Sequence, residues 1–135
     1  MRVDYSFICD YAETRDKVNA LGIGFDTIYA QQLPARHPHF HVVIQVSFQV
    51  SEVGEKNVRT NLIDADGRDL IPAINGRMTV SPPNPGMTES KVRLNMGFGN
   101  VEFQHYGTYS ISVSIEGQEV ASIPLRVAEP PRTTK

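Results

Sequence analysis

Tyr106-Gly-Thr-Tyr-Ser-Ile-Ser-Val-Ser-Ile-Glu116 carries the period that decides the fold. Tyr109, Ile111, Val113 and Ile115 alternate with Ser110, Ser112, Ser114 and Glu116, so one face of the extended chain is apolar and the other polar. A strand wetted on one face belongs to an antiparallel sheet packed on a single core. The same alternation recurs upstream. Phe40, Val42, Ile44, Val46, Phe48 and Val50 alternate with His39, His41, Gln45, Ser47 and Gln49, and only Val43 breaks the rule. Val3, Tyr5, Phe7, Cys9 and Tyr11 alternate with polar neighbours, with Ile8 as the exception. Val92, Leu94, Met96 and Phe98 continue the series. Its phase reverses around Gly97-Phe-Gly99, and Val101 and Phe103 follow on the other parity.

Between these runs lie turn signals. Asp66-Gly67 predicts a two-residue type I′ hairpin, with Leu62 opposite Ile71 and Ile63 opposite Leu70. A two-residue turn at Glu116-Gly117 would set Ser122 opposite Ile111 and waste the apolar face, so an odd-length loop or a bulge near Val120 is expected. Pro124 lacks an N–H and lies on the polar parity, which predicts an edge strand. A phase change near Gly22 predicts a β-bulge, and residues 26–38, which have no clean period, an irregular crossover. Pro82 and Pro85 have PxxP spacing, but the stretch Ser81–Ser90 reads as an inter-strand loop. These runs predict an all-β fold, an antiparallel β-sandwich of seven to nine strands without helix. One core is expected to hold Tyr5, Phe7, Phe40, Val42, Ile44, Leu94, Tyr109, Ile111 and Val113.

A chain of 135 residues is one domain by size, here residues 1–128, followed by a flexible Pro-containing tail at 129–135. The net charge of −2 supplies no basic excess to neutralise phosphates, so no nucleic-acid partner is expected. A single cysteine, Cys9, allows no intramolecular disulfide and reads as a buried structural thiol. The N-terminal stretch has no uninterrupted apolar core, and no run is long enough to span a bilayer, so the expected location is cytoplasmic with no membrane partner.

Gly107-Thr-Tyr-Ser-Ile111 resembles the Gly-x-Tyr-x-Cys signature of immunoglobulin-type domains, with Tyr109 at the tyrosine-corner position and Ile111 in place of the cysteine. The resemblance implies an immunoglobulin-like sandwich and a structural role for Tyr109, whose hydroxyl should bond a backbone group. His105 replaces the usual acidic residue, and neither a Trp nor a second Cys is present, so no immune-type function follows. More broadly, Val3-Asp-Tyr-Ser-Phe-Ile-Cys-Asp-Tyr-Ala12, Gly22-Ile-Gly-Phe-Asp-Thr-Ile28, Pro34-Ala-Arg-His-Pro-His39, Asp66-Gly67 and Gly107-Thr-Tyr109, in that order, resemble a family of short uncharacterised bacterial proteins. That resemblance implies a bacterial or phage cytoplasmic origin and no particular activity.

His37, His39 and His41, two residues apart on one strand, are the only constellation with metal-ligand character. Pro38 at the strand entrance argues against a regular geometry for His37, and all three are read as polar-face residues at a strand entrance, so no native metal is expected at His37, His39 and His41. Asp64, Asp66 and Asp69 lack the distal Glu of a calcium loop and are explained by turn chemistry. Gly22-Ile-Gly-Phe is an incomplete phosphate-loop signature with no helix after it. Tyr5, Tyr11, Tyr29 and Tyr106 are expected to pack in the core rather than form a stacking patch. With no catalytic residue in view, no enzyme activity and no cofactor are expected. The leading reading is a non-catalytic β-sandwich module that binds a protein partner or self-associates. The alternatives are a metal-binding protein or metal-dependent enzyme using His37, His39 and His41, and a phage or assembly structural component.

Overall fold

The computed structural model describes residues 1–131. Ten strands follow in chain order: β1 (Arg2–Cys9), β2 (Tyr11–Thr14), β3 (Val18–Leu21), β4 (Thr27–Tyr29), β5 (Ala35–Gln49), β6 (Gly54–Ile63), β7 (Ile74–Val80), β8 (Glu89–Phe103), β9 (Gly107–Ile115) and β10 (Gln118–Ala128). A single 3-10 turn at Val50–Glu52 is the only helical element among the described residues. The strands form a three-stranded sheet β1-β5-β8, a five-stranded sheet β4-β10-β9-β6-β7 and a two-stranded hairpin β2-β3. Residues 132–135 of the expected tail lie outside the described residues.

The two larger sheets turn their apolar faces to one core. Phe40, Val42, Ile44, Val46 and Phe48 from β5 meet Leu62 from β6, Tyr109, Ile111, Val113 and Ile115 from β9, and Leu125 and Val127 from β10. Burying side chains of this size contributes about 1.5–3 kcal/mol each before entropy is counted. Thr60, buried on β6, donates its hydroxyl to the Met96 sulfur on β8 at 3.0 Å and ties one sheet to the other. On β5 and β9 the alternation read from the sequence is thus the inner face of the strand.

The outer face of the three-stranded sheet departs from expectation. The hairpin β2-β3 covers part of it and makes a second apolar cluster of Cys9, Ala12 and Val43, with Tyr5, Phe7, Val18 and Ala20 packed around them. Val43 breaks the polar parity because it is buried beneath this hairpin. A register shift between Val3 and Tyr5 turns the following residues over, so Tyr5 and Phe7 lie outside the main core while Ile8 lies in it. The expected placement of Tyr5 and Phe7 is corrected accordingly: their shared parity is real, and it faces the hairpin.

Two turns differ from one another in an instructive way. Only Gly67 has positive φ in the Asp66-Gly67 turn, whereas a type I′ turn needs two such residues. Asp64 Oδ1 instead accepts the N–H groups of Asp66 and Arg68, both at 2.9 Å, and the strand end closes as Ile63 opposite Asp69. The expected register is therefore off by one, and β7 resumes at Ile74 opposite Thr60, beyond Pro72. At the last hairpin Glu116 and Gly117 both have positive φ, 51° and 77°, and the turn has two residues. A register shift between Glu119 and Ala121 then restores Ile123 opposite Ile111, the bulge at Val120 that the apolar face demands.

Other differences have local causes. Gly22, at φ 68°, ends β3 in a turn and does not carry a bulge within a longer strand. Within the irregular stretch 26–38, β4 pairs parallel with β10 at Arg126–Ala128, and β5 already begins at Ala35. This short strand and the β2-β3 hairpin bring the strand count to ten, beyond the expected seven to nine. β10 is interior in strand order, so Pro124 is not on an edge strand; it precedes the three residues that β4 covers, so its missing N–H leaves the pairing with β4 intact.

Candidate functional site

The outer face of the three-stranded sheet carries a connected set of polar side chains. His39 and His41 alternate in phase along β5, and their Nε2 atoms stand 2.6 Å apart with ring centroids at 4.5 Å. On the neighbouring strand β8, Asn95 places Oδ1 2.8 Å from His41 Nδ1. Its amide nitrogen donates to the Ala12 carbonyl on β2 at 3.0 Å. That second bond orients the amide, so Oδ1 must accept and His41 Nδ1 must donate. With Nδ1 carrying its proton, a neutral His41 ring presents Nε2 as the acceptor for His39 Nε2–H. Gly97 faces the His41 ring: a Cβ added there would lie 3.4 Å from His41 Cε1. Tyr11 covers the pair, its ring edge-on to His41 at 5.3 Å.

His37 does not join them. Its pairing with Val101 and that of His39 with Gly99 flank Pro38 and Asn100, and Asn100 has φ 53°. The alternation breaks there, and His37 packs on Phe25 at 5.6 Å and Phe40 at 5.8 Å. Burial holds its imidazolium below the ordinary histidine value, opposed by the charge of Asp10. Among the described residues, no three His, Cys, Asp or Glu side chains come together in a metal cage.

Beside the histidine pair, a groove of about 780 Å³ runs between β1 and the β2-β3 hairpin, lined by Tyr5, Phe7, Tyr11, Val18, Leu21 and Ile23 among others. Leu21 is 69% exposed and Ile23 59%. Cys9 lies fully buried beneath the hairpin, its thiol 3.5 Å from the Tyr11 carbonyl. Burial and then the charge of Asp10 push that thiol up, away from nucleophilic chemistry. The hairpin is held to the sheet by Asn95 and by Arg93, whose Nη1 donates to the Asp16 carbonyl at 2.8 Å.

The third feature is an edge. β8 runs for 15 residues, pairs with β5 along one side, and has no strand on its other side among the described residues. A hollow of about 530 Å³ flanks its second half, between Gly97–Glu102 and the apolar side chains of Leu70, Ile71 and Ile74.

The remaining candidates resolve into structure. Asp64 caps its turn, and Asp69 accepts from the Asn61 amide at 3.0 Å. Tyr5 donates to Gln45 and Tyr106 to the Ala30 carbonyl, while Tyr11 and Tyr29 are 49% and 57% exposed, against the expectation that all four tyrosines pack in the core. Tyr109 is buried, and its hydroxyl donates to the His105 carbonyl at 2.8 Å and accepts from the His105 N–H at 3.3 Å, the expected backbone bond. Nothing in the sequence ties Asn95 or Gly97 to a histidine; their link to His41 exists only in the β5-β8 register. No helix of the described residues is long and apolar enough to cross a membrane.

The chain belongs to a family of unknown function, DUF6941, whose model matches residues 4–128. The expected resemblance to a family without an assigned activity therefore holds over nearly the whole chain. No curated protein matches the sequence.

Proposed function

We propose that the chain is a non-catalytic, immunoglobulin-like β-sandwich module of the bacterial cytoplasm that binds a protein by adding one of the partner's strands to the outer edge of β8. The observation that carries this reading is the unpaired edge itself. An open edge presents a row of backbone donors and acceptors, and natural proteins blunt such edges with lysines, prolines or short strands. β8 carries Lys91 and Arg93 in its first half, while from Met96 to Val101 it has no charged residue and two glycines, Gly97 and Gly99. Leu70, Ile71 and Ile74 wall the hollow beside that second half. Backbone bonds to the edge would give affinity and the apolar wall selectivity for alternate side chains, as in strand augmentation. The tyrosine-corner bond of Tyr109 supports the immunoglobulin-like arrangement, and a lone buried thiol suits a reducing compartment.

Site-specific photocrosslinking in the native cell tests the reading. A photoreactive side chain at Ile74 should capture one partner, and the same group at Ser112, on the outer face of interior strand β9, should not. Ile74→Lys should abolish capture by a probe at Gln104. Equal capture from Ser112, or capture that survives Ile74→Lys, would overturn it. A dimer by solution mass that Ile74→Lys converts to monomer would identify the partner as a second copy of this chain.

A further inference from the structure

We propose that His39 and His41 form a two-imidazole binding site for a late first-row divalent ion, Cu²⁺ before Ni²⁺ and Zn²⁺, with water or an incoming ligand in the remaining positions. This is independent of the β8 edge.

Three observations converge on it. First, the two Nε2 atoms point at one another across 2.6 Å. Two imidazole nitrogens bound to one ion at about 2.0–2.1 Å sit about 3 Å apart with both lone pairs converging on it. The ion therefore takes the place of the proton on the His41 lone pair once His39 swings aside to aim its own lone pair at the same point. His39 is exposed and His41 half-buried, so the outer ring can make that movement. Second, the supporting partner that the sequence could not show is present. Asn95 Oδ1 holds the Nδ1–H of His41 and is itself fixed by Ala12, which leaves the His41 Nε2 lone pair free to ligate. A ligating histidine that donates its other N–H to an oxygen is the common arrangement in metal sites. His39 takes up the ion by moving its Nε2 proton to Nδ1 through solvent. Third, Gly97 leaves open space beside His41 Cε1, which a Cβ would fill at an ordinary contact distance of 3.4 Å.

His37 is not a ligand. The break of alternation at Pro38 and Asn100 turns it to Phe25 and Phe40. The preference for Cu²⁺ follows from the affinity order of divalent ions at imidazole sites.

The test is titration of the untagged full chain with Cu²⁺ alone, followed by calorimetry and electron paramagnetic resonance. Nitrogen hyperfine splitting from two imidazoles is expected. His39→Ala and His41→Ala should each weaken binding at least about tenfold, Asn95→Leu about tenfold or more through loss of the supporting bond, and His37→Ala less than about twofold. His39 is exposed, so His39→Ala should keep the thermal midpoint of the parent and separates ligand loss from misfolding. Absence of imidazole hyperfine splitting, binding undiminished in His39→Ala, or an equal loss in His37→Ala would overturn the proposal; the first two would place the ion elsewhere, such as the terminal amine.

Discussion

The Asp4 carboxylate accepts the Ser47 hydroxyl at 2.7 Å, joining the irregular point of β1 to the outer face of β5. The Gln45 amide donates to the same oxygen at 2.8 Å, and Arg2 and Lys91 stand 3.3 and 3.8 Å away. Gln45 passes the network on, accepting from Tyr5 at 3.1 Å and Arg93 at 2.9 Å. The residue that shifts the register of β1 is thus also the one whose charge is best satisfied.

A pH dependence follows. The bonds from Ser47 and then Gln45 hold the Asp4 carboxyl at about 2, below the ordinary 3.8, in a side chain only 15% exposed. A depressed carboxyl stabilises the fold above its unfolded value, and that contribution is lost as pH falls from about 4 through about 2. Its size is about 2 kcal/mol at neutral pH, by the difference between the two values. Urea unfolding of the wild type and Asp4→Asn between about pH 6 and pH 2 measures it. The variant should be weaker at the upper end and converge on the wild type at the lower end; parallel curves would contradict the assignment.

On β9 the two faces should separate cleanly. Ile111 is fully buried and Ser112 points outward, its hydroxyl touching only the exposed Glu119 carboxylate at 3.3 Å. Ile111→Ala should cost about 2–5 kcal/mol, the range for a truncated buried isoleucine. Ser112→Ala should stay within about 0.5 kcal/mol. Equal shifts of the urea midpoint would show the faces assigned wrongly.

These two examples also mark where the sequence is legible. The alternation of β9 and of most of β5 reads directly because one face meets the core and the other meets water. The bulge at Val120 is legible too, since only an extra residue keeps Ile123 opposite Ile111. β1 is legible only in part: its alternation is real, but the shift between Val3 and Tyr5 turns that apolar face to the hairpin, and a period of two does not say which layer a face meets. The consecutive Val42-Val43-Ile44, all fully buried, was the available signal of a second layer. At the histidines, the shared face of His39 and His41 is local and readable. The departure of His37 depends on Asn100, and the support from Asn95 on a pairing more than fifty residues away in sequence.

Tyr109→Phe removes one hydroxyl, and with it both the bond donated to the His105 carbonyl and the longer one accepted from the His105 N–H. The hydroxyl donates to the His105 carbonyl at 2.8 Å, while the ring stays packed edge-on to Phe103 at 4.9 Å. Removing the oxygen alone leaves that contact and should cost about 1 kcal/mol, the net worth of one such bond. Calorimetric unfolding of the two proteins measures it, and a variant as stable as the parent would mean that the bond contributes nothing to holding the corner.

The last prediction concerns Cys9. Its side chain lies between β1, β5 and the β2-β3 hairpin with no exposed surface, and burial raises its thiol from the ordinary value, the nearby Asp10 charge adding to the effect. Alkylation needs both access and thiolate, and the fold withholds both. Native protein at about pH 8 should therefore react with iodoacetamide orders of magnitude more slowly than protein unfolded in urea. The hairpin makes the finer point. Arg93 fixes its turn through the Asp16 carbonyl, so Arg93→Ala should speed labelling by loosening the cover while the main core, which this arginine does not touch, keeps its urea midpoint within about 1 kcal/mol. Labelling unchanged in Arg93→Ala would show that the thiol is reached only by global unfolding, and that the hairpin and the two sheets open together.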